Sequence, residues 1–383
     1  MELDKTSSGI ISKMISSYYS KCREIPLKRI GEREFGFGTF DRKIAYRHYA
    51  FKDYAQLRDY LVSNAPPFVS ISSAYYEKPD ARPMENKIWK GSELIFDLDA
   101  SDLDLECRRL HGSSWVCDKC LDTIKLETLK LIEEFLIPDF GFKSDDMHIN
   151  FSGNRGYHIH IDNEIVRSMS SEERKEISDY IKGIGINVSE FFPAMGVRGV
   201  QLEGPRPTDG GWAGKLARGA IKFINSGPTA MMATGMDKKL AMLIERNKAA
   251  IIFGISMGNW DKIHIPKKDY FWSSVLGSIS IKQADSIDKN VTVDIRHLIR
   301  LPNTIHGDTG LLALSVGSAR DLAKFDPTIS AVAFKNGDIK IKMIKKNPEF
   351  SINGKSYGEL KDIVEIDIAA AAYLTLKGYS QIV

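Results

Sequence analysis

Four groups of residues in this chain have types and spacings that could do chemistry. Asp97-Leu98-Asp99 closes the apolar segment Leu94-Ile95-Phe96. Side chains two apart on a strand share a face, so both carboxylates could grip hard divalent cations, and they repel each other until a cation neutralises them. Ser152-Gly153-Asn154-Arg155-Gly156-Tyr157-His158 sets a hydroxyl, a guanidinium and an imidazole around a glycine-flanked turn. Exposed backbone N–H groups with an Arg beside them suit the oxygens of a triphosphate. A third group runs from Asp288 through Asp294, Arg296, His297 and Arg300 to His306. It repeats the mixture of carboxylate, cation and imidazole. Spacing leaves open whether Asp288 or Asp294 points inward, and the same residues would also serve as a solvated face laced with ion pairs. The fourth group, Cys107, His111, Cys117 and Cys120, offers three thiolates and an imidazole in one short window. That donor set completes a tetrahedral zinc with no open position, so a closed structural site is expected in place of a catalytic one.

The elements that must hold these groups can be read from periodicity. Ile10, Ile11, Met14, Ile15, Tyr18 and Tyr19 predict an amphipathic helix over 8–23 with Ser7-Ser8 as caps, and Phe51, Tyr54, Leu57 and Leu61 predict another over 51–63. Strands are expected at 68–76 and 93–98, the second delivering Asp97 and Asp99. A helical pattern over 121–137 stops at Pro138. Residues 147–151 and 157–161 alternate on either side of the 152–156 turn and read as strand, turn, strand. From about 170 to 286 the character shifts, with helical stretches near 171–182 and 236–250 around a Gly- and Pro-rich loop at 204–214. This predicts a mainly helical subdomain, 170–286, inserted into a unit formed by 1–169 and 287–383. Val291-Thr292-Val293 resumes the alternating pattern, with a helix or turn to Arg300, strands at 311–316, 329–334 and 338–344, and a helix over 366–377 ending at Gly378.

Composition sets the outer limits. With 383 residues, 43% hydrophobic and 27% charged, the chain can bury a sizeable core, which excludes a disordered or collagen-like polypeptide and suggests two or three folding units. The net charge of +3 neither demands nor excludes an anionic partner. Three of the four cysteines cluster while Cys22 stands alone, a distribution that favours metal over disulfides. The opening Met-Glu-Leu-Asp-Lys has no basic segment followed by an apolar stretch, and nowhere do about 18 apolar residues run together. A soluble intracellular protein is expected.

Taken in order, Asp97-Leu98-Asp99, the Cys/His knuckle, Ser152-Gly153-Asn154-Arg155-Gly156-Tyr157-His158 and the run from Asp288 to Arg300-Leu301-Pro302-Asn303-Thr304-Ile305-His306-Gly307 closely resemble the archaeal form of the archaeo-eukaryotic primase small subunit. The resemblance spans nearly the whole chain. Lys90-Gly91-Ser92-Glu93-Leu94-Ile95-Phe96 ahead of the acid pair, Arg296-His297-Leu298-Ile299-Arg300-Leu301-Pro302, and Arg33-Glu34-Phe35-Gly36-Phe37 are its specific wording. It implies an α+β fold, a mixed α/β primase-polymerase core with the zinc knuckle 107–120 and the helical subdomain as insertions. It also implies template-directed nucleotidyl transfer that makes short primers on single-stranded DNA. In that family Asp97, Asp99 and, by its register, Asp288 match the three ligands of two Mg²⁺ or Mn²⁺ ions, while Ser152, Arg155, His158, Arg300 and His306 match the nucleotide contacts. Asn154 stands where the eukaryotic members commonly carry Arg, and Arg300 where Lys is also found. Nucleoside triphosphates, a large-subunit partner in a heterodimer and a cytoplasmic location follow from the same resemblance. Two rival readings are a related polymerase of the superfamily serving repair or a plasmid, and a zinc-containing nucleic-acid-binding protein without catalysis.

Overall fold

The computed structural model describes residues 3–383 apart from 23, 24, 26, 113, 194–196, 198, 266, 267 and 283–287. The fold is mixed α/β, with several antiparallel sheets and fifteen α-helices among the described residues. It divides into two compact units, one formed by Met1–Ile132, Phe142–Lys175 and Ser286–Val383, the other by Glu133–Gly141 and Glu176–Asp285.

In the first unit a five-stranded sheet runs in the order Thr304–Ile305, Leu312–Gly317, Met147–Phe151, Gly156–Ile161, Leu94–Asp99. Every neighbouring pair is antiparallel. Leu94, Phe96 and Leu98 are buried on one face, so Asp97 and Asp99 emerge together on the other. The helix Asp118–Leu131 inserts Leu121, Ile124, Thr128 and Leu131 into the core. A second, four-stranded antiparallel sheet has the order Tyr46–Tyr49, Phe35–Gly38, Phe68–Ser72, Leu298–Arg300, so the segment that carries Arg300 is zipped onto a strand more than two hundred residues earlier in the chain. A three-stranded sheet of Ile363–Asp367, Asp338–Met343 and Ser380–Ile382 packs with the apolar helix Ile368–Leu376.

In the second unit the helix Gly211–Asn225 buries Trp212, Leu216, Ala217, Ala220 and Ile224. Trp212 packs edge-on to Phe135 and donates its Nε1–H to the Tyr180 carbonyl at 2.8 Å. Lys215 forms a buried ion pair with Asp139. Helices Gly227–Ala233, Lys238–Arg246, Lys248–Ser256 and Lys268–Lys282 follow.

Several expected boundaries move, each for a local reason. The first helix is Lys5–Lys21 and its cap is Asp4, whose side chain accepts the Ser7 N–H at 2.9 Å, so Ser7 and Ser8 lie inside the helix. The predicted strand 68–76 breaks at Ser73 into Phe68–Ser72 and Ala74–Tyr76. The expected loop 204–214 ends early because a helix starts at Gly211, and the stretch 236–250 is two helices meeting at Asn247. Around the third acidic group the order is reversed from the expectation. Asp288 caps a helical turn, Lys289–Val293, by accepting the Asn290 N–H, and the strand is Leu298–Arg300. At 329–334 the expected strand gives way to a helical turn, Pro327–Ser330, because Asp326 caps it and Pro327 supplies a preset first position. Only Val332 keeps a bridge, to Leu311.

Candidate active site

The antiparallel register sets Asp97 opposite His158 and Asp99 opposite Gly156. This brings the acid pair against the Ser152–Gly156 turn. The turn is closed by two bonds from the Gly156 and Asn154 N–H groups to the Ser152 hydroxyl, at 3.1 and 3.4 Å, and by Ser152 N–H donating to the Gly156 carbonyl at 2.9 Å. Gly153 has φ +85°, and a Cβ there would lie 2.7 Å from the Cβ of His306. Gly156 runs against the Leu98 carbonyl, where a Cβ would have no room. Both glycines are thus fixed by close approach as well as by the turn.

Around this turn the predicted residues converge. Arg155 Nε donates to Asp99 Oδ1 at 2.6 Å, an oxygen that also accepts the Ser101 N–H at 2.7 Å. His158 is buried, with Nε2 3.5 Å from Asp97 Oδ1, and its burial keeps the imidazole neutral, its pKa well below the ordinary value. Asp288 N–H donates to the Asp97 backbone carbonyl at 3.0 Å, which draws the third acidic segment to the same strand. Burial, then Asp99 and Asp288, push the Asp97 carboxyl up to about 7. A carboxyl so buried and so crowded by its own kind would be favoured in its charged form by a nearby positive charge. Asp102 feels burial and the same two neighbours and is raised as well.

Asp294 behaves differently. Its Oδ1 accepts the Arg296 N–H at 2.9 Å, its Oδ2 lies 3.7 Å from His297 Nδ1, and the His297 hydrogen bond holds it below the usual carboxylate range. Arg300 lies over the Phe68 ring, 4.9 Å from its centroid, and burial lowers its pKa to about 10. His306 packs edge-on to the same Phe68 and accepts the Asp308 N–H on Nδ1 at 3.2 Å. Burial first, then Arg300, Lys43, Lys377 and Arg155, keep it neutral.

Sequence reasoning passed over a buried polar network behind the acid pair. Glu93 is bonded by Arg33, by the Tyr75 hydroxyl at 2.9 Å and by His160 Nδ1 at 2.8 Å. Burial would raise its carboxyl, but Arg33 and His160 outweigh burial and hold it well below the usual range. Arg174 ties down the adjacent backbone through the Ser92 and Glu93 carbonyls at 2.8 and 2.7 Å. The signal was present. Glu93 leads directly into the acid-bearing strand, and His160 stands two residues from His158, hence on the same face.

The knuckle residues also meet. Cys107 Sγ and Cys117 Sγ lie 3.5 and 3.7 Å from Cys120 Sγ, and His111 Nε2 is 3.5 Å from the same sulfur. The four donor atoms all fall within 4.8 Å of one another. Zinc–sulfur bonds of about 2.3 Å at tetrahedral angles would set sulfurs about 3.8 Å apart, so these residues could hold a metal such as zinc. His111 Nδ1 lies 2.9 Å from the Gly112 carbonyl, an arrangement that frees Nε2 as the ligand atom.

A family profile described as DNA primase small subunit matches residues 96–318, which takes in Asp97, Asp99, Asp288, Asp294, the knuckle, the turn and His306. The chain belongs to the DNA primase small subunit family. The DNA primase small subunit PriS of Methanococcoides burtonii is 33% identical over 98% of each chain. Those of Methanothrix thermoacetophila and Methanocella arvoryzae are 31% and 30% identical over 99% and 98% of each chain. Primase small subunits are nucleotidyltransferases that make primers, and this chain is a primase catalytic subunit. Among the described residues no helix of this primase subunit is long and apolar enough to cross a membrane.

Proposed function

We propose that this primase subunit assembles short primers on single-stranded DNA from nucleoside triphosphates, in the cytoplasm and together with a large subunit. In this reading Asp97, Asp99 and Asp288 hold two Mg²⁺ or Mn²⁺ ions, and Ser152, Arg155, His158, Arg300 and His306 hold the triphosphate. The observation that carries it is the convergence of the acid pair, the Asp288 segment and the Ser152–Gly156 turn at one strand end, with Asp97 raised by burial and then by its acidic neighbours.

Divalent ions bound there would activate the primer 3′-hydroxyl and neutralise the charge of the leaving pyrophosphate, the chemistry of carboxylate sites with ions about 4 Å apart. The protein's own groups do the positioning. Arg155 bridges the acids and the turn, so its guanidinium is oriented before nucleotide arrives. His158 and His306 are neutral and buried; the Asp308 N–H on Nδ1 leaves the His306 Nε2–H as a donor toward phosphate, while His158 turns Nε2 toward Asp97 and would brace that acid beside the triphosphate. The Phe68 ring braces Arg300 and His306 together, which fixes where their charge and dipole point.

Incorporation of labelled nucleotide on unprimed single-stranded DNA, with Mg²⁺ or Mn²⁺ as the sole divalent ion, tests this reading. Short products are expected. Extension of primed template alone would favour the repair or plasmid polymerase, and no incorporation under any condition would favour the non-catalytic reading.

The knuckle is proposed to be a closed structural zinc site, with Cys107, His111, Cys117 and Cys120 as ligands and about one zinc per chain. Trp115, between two of those ligands, is buried against Phe350, Tyr373 and Tyr379, so the metal would pin a loop that the aromatic cluster already holds. Cys117→Ser, or a zinc-selective chelator with Mg²⁺ resupplied, is expected to lower the melting temperature by several degrees and weaken template handling before it slows extension. Elemental analysis finding no zinc in the purified protein would overturn the assignment.

A further inference from the structure

A cleft of about 220 Å³ opens beside the Ser152–Gly156 turn, lined among others by Lys43, Ser114, Asn154, Arg155, Asp308 and Lys377. Three cations and one carboxylate face it. We propose that Lys377, assisted by Lys43, is a positioning residue for the distal phosphates of the nucleoside triphosphate, and brings positive charge from the far end of the chain to the Asn154 side of the turn. This assignment rests on the primase reading above and deepens it.

Lys377 follows the helix Ile368–Leu376 and forms its C-terminal cap. Its ammonium donates to Asn154 Oδ1 and to the Ser114 carbonyl, both at 3.1 Å. Those two neutral acceptors use two of its three N–H donors and leave one for an incoming oxygen. Among the described residues no carboxylate lies within ion-pair distance of it, although Asp308 shares the cleft. A half-buried ammonium held by neutral groups is under-compensated, and an arriving phosphate would restore the balance. Burial accordingly lowers the Lys377 pKa to about 8, against the opposing pull of Asp308.

The placement selects which phosphates. Arg155 faces two ways, with Nε on Asp99 and its side chain along the cleft. The cleft therefore begins where the metal-binding acids end. The reacting α-phosphate belongs with the acids, and the β- and γ-phosphates, which leave as pyrophosphate, belong with Lys377 and, at the exposed rim, Lys43. The competing explanation is that Lys377 merely ties the knuckle loop at Ser114 to the turn at Asn154. A tie would support every nucleotide equally, whereas a phosphate contact distinguishes triphosphate from monophosphate.

The experiment measures binding of ATP and of AMP to the full chain with Mg²⁺, together with KM and kcat for incorporation, in Lys377→Met, Lys377→Arg and Lys43→Ala. Lys377→Met is expected to weaken ATP binding and raise its KM about tenfold, the size of one lost charge-assisted hydrogen bond, with a smaller change in kcat and none in AMP affinity. Lys377→Arg should recover most of the loss, and Lys43→Ala should show the same selectivity at a few-fold. Equal weakening of ATP and AMP, or unchanged ATP binding in a Lys377→Met protein with the wild-type melting temperature, overturns the assignment. Should Lys377→Met fail to fold, Lys43→Ala decides, because that side chain is exposed; an unchanged KM for ATP then overturns the proposal. A wild-type chain that incorporates nothing sinks the primase reading itself, while an active wild type with an indifferent Lys377→Met sinks only the role of Lys377.

Discussion

Asp97→Asn and Asp99→Asn are each expected to cut nucleotide incorporation by roughly a hundredfold or more, since charge stabilisation by a bound cation contributes several kcal/mol and each 1.36 kcal/mol is a factor of ten. Asp97→Asn should not cost stability, whereas Asp99→Asn gives up the charge of its ion pair with Arg155. The Asp97 carboxyl is pushed from an ordinary 3.8 to about 7 by burial and by Asp99 and Asp288. The folded state therefore binds this proton more tightly than the unfolded chain does, so the site's contribution to the stability of the metal-free protein is fully present below about pH 4 and is lost as pH rises through about 7. Asp97→Asn removes that loss. Its melting temperature without divalent ions should equal or exceed that of the wild type at pH 8, and the two should converge as the pH falls. Mg²⁺ should raise the wild-type melting temperature more at pH 8 than at pH 6, because binding must displace the proton, and it should do little for the variant. Retention of more than a few per cent of wild-type incorporation with an unchanged melting temperature would sink the metal assignment.

How legible the site was depended on whether its residues are neighbours along the chain. Asp97 and Asp99 could be placed on one face because a strand repeats every two residues and Leu94, Phe96 and Leu98 mark the buried side. The knuckle was readable for the same reason, since its ligands fall within one window and their chemistry admits few alternatives. The glycines of the turn could be noticed, but not why they are glycines, because the crowding atoms belong to His306 and to Leu98. Lys377 carried no signal at all. It follows an alanine-rich apolar helix, and only tertiary packing carries its ammonium to Asn154. Arg33 and Glu93 lie in segments that were read, yet their pairing across sixty positions has no periodicity to betray it. Two misread elements share one cause. At 288–293 and 326–330 an Asp side chain captures the following N–H groups and turns β-branched sequence into a helical turn, so a local hydrogen bond overrides the strand preference of Val and Ile.

That same cap bears on the choice between Asp288 and Asp294. If Asp288 is the third metal ligand, Asp288→Asn should reduce incorporation by about two orders of magnitude, as loss of a transition-state charge contact does elsewhere, while Asp294→Asn should cost a few-fold at most. The geometry motivates this ranking from both sides. Asp288 is bound through its backbone N–H to the carbonyl of Asp97, and its charge raises Asp97 and Asp102. Its Oδ1 accepts the Asn290 N–H, which orients the carboxylate and leaves the second oxygen for a cation. Asp294 is engaged by His297 and the Arg296 N–H, and these hydrogen bonds hold its pKa below the ordinary carboxylate value, so it is already supplied with donors. An acid that is satisfied gains little from a divalent ion, whereas one that destabilises its neighbours gains most. Asparagine at 288 can still accept the Asn290 N–H, so the cap and the fold should survive and the melting temperature should stay within a degree or two of the wild type. The loss would then be one of charge alone. Titration of Mn²⁺ against activity separates the cases further: Asp288→Asn should need far more Mn²⁺ for half-maximal rate, and Asp294→Asn should follow the wild-type curve. The opposite ranking would place the third ligand at Asp294 and make the Asp288 turn a structural cap.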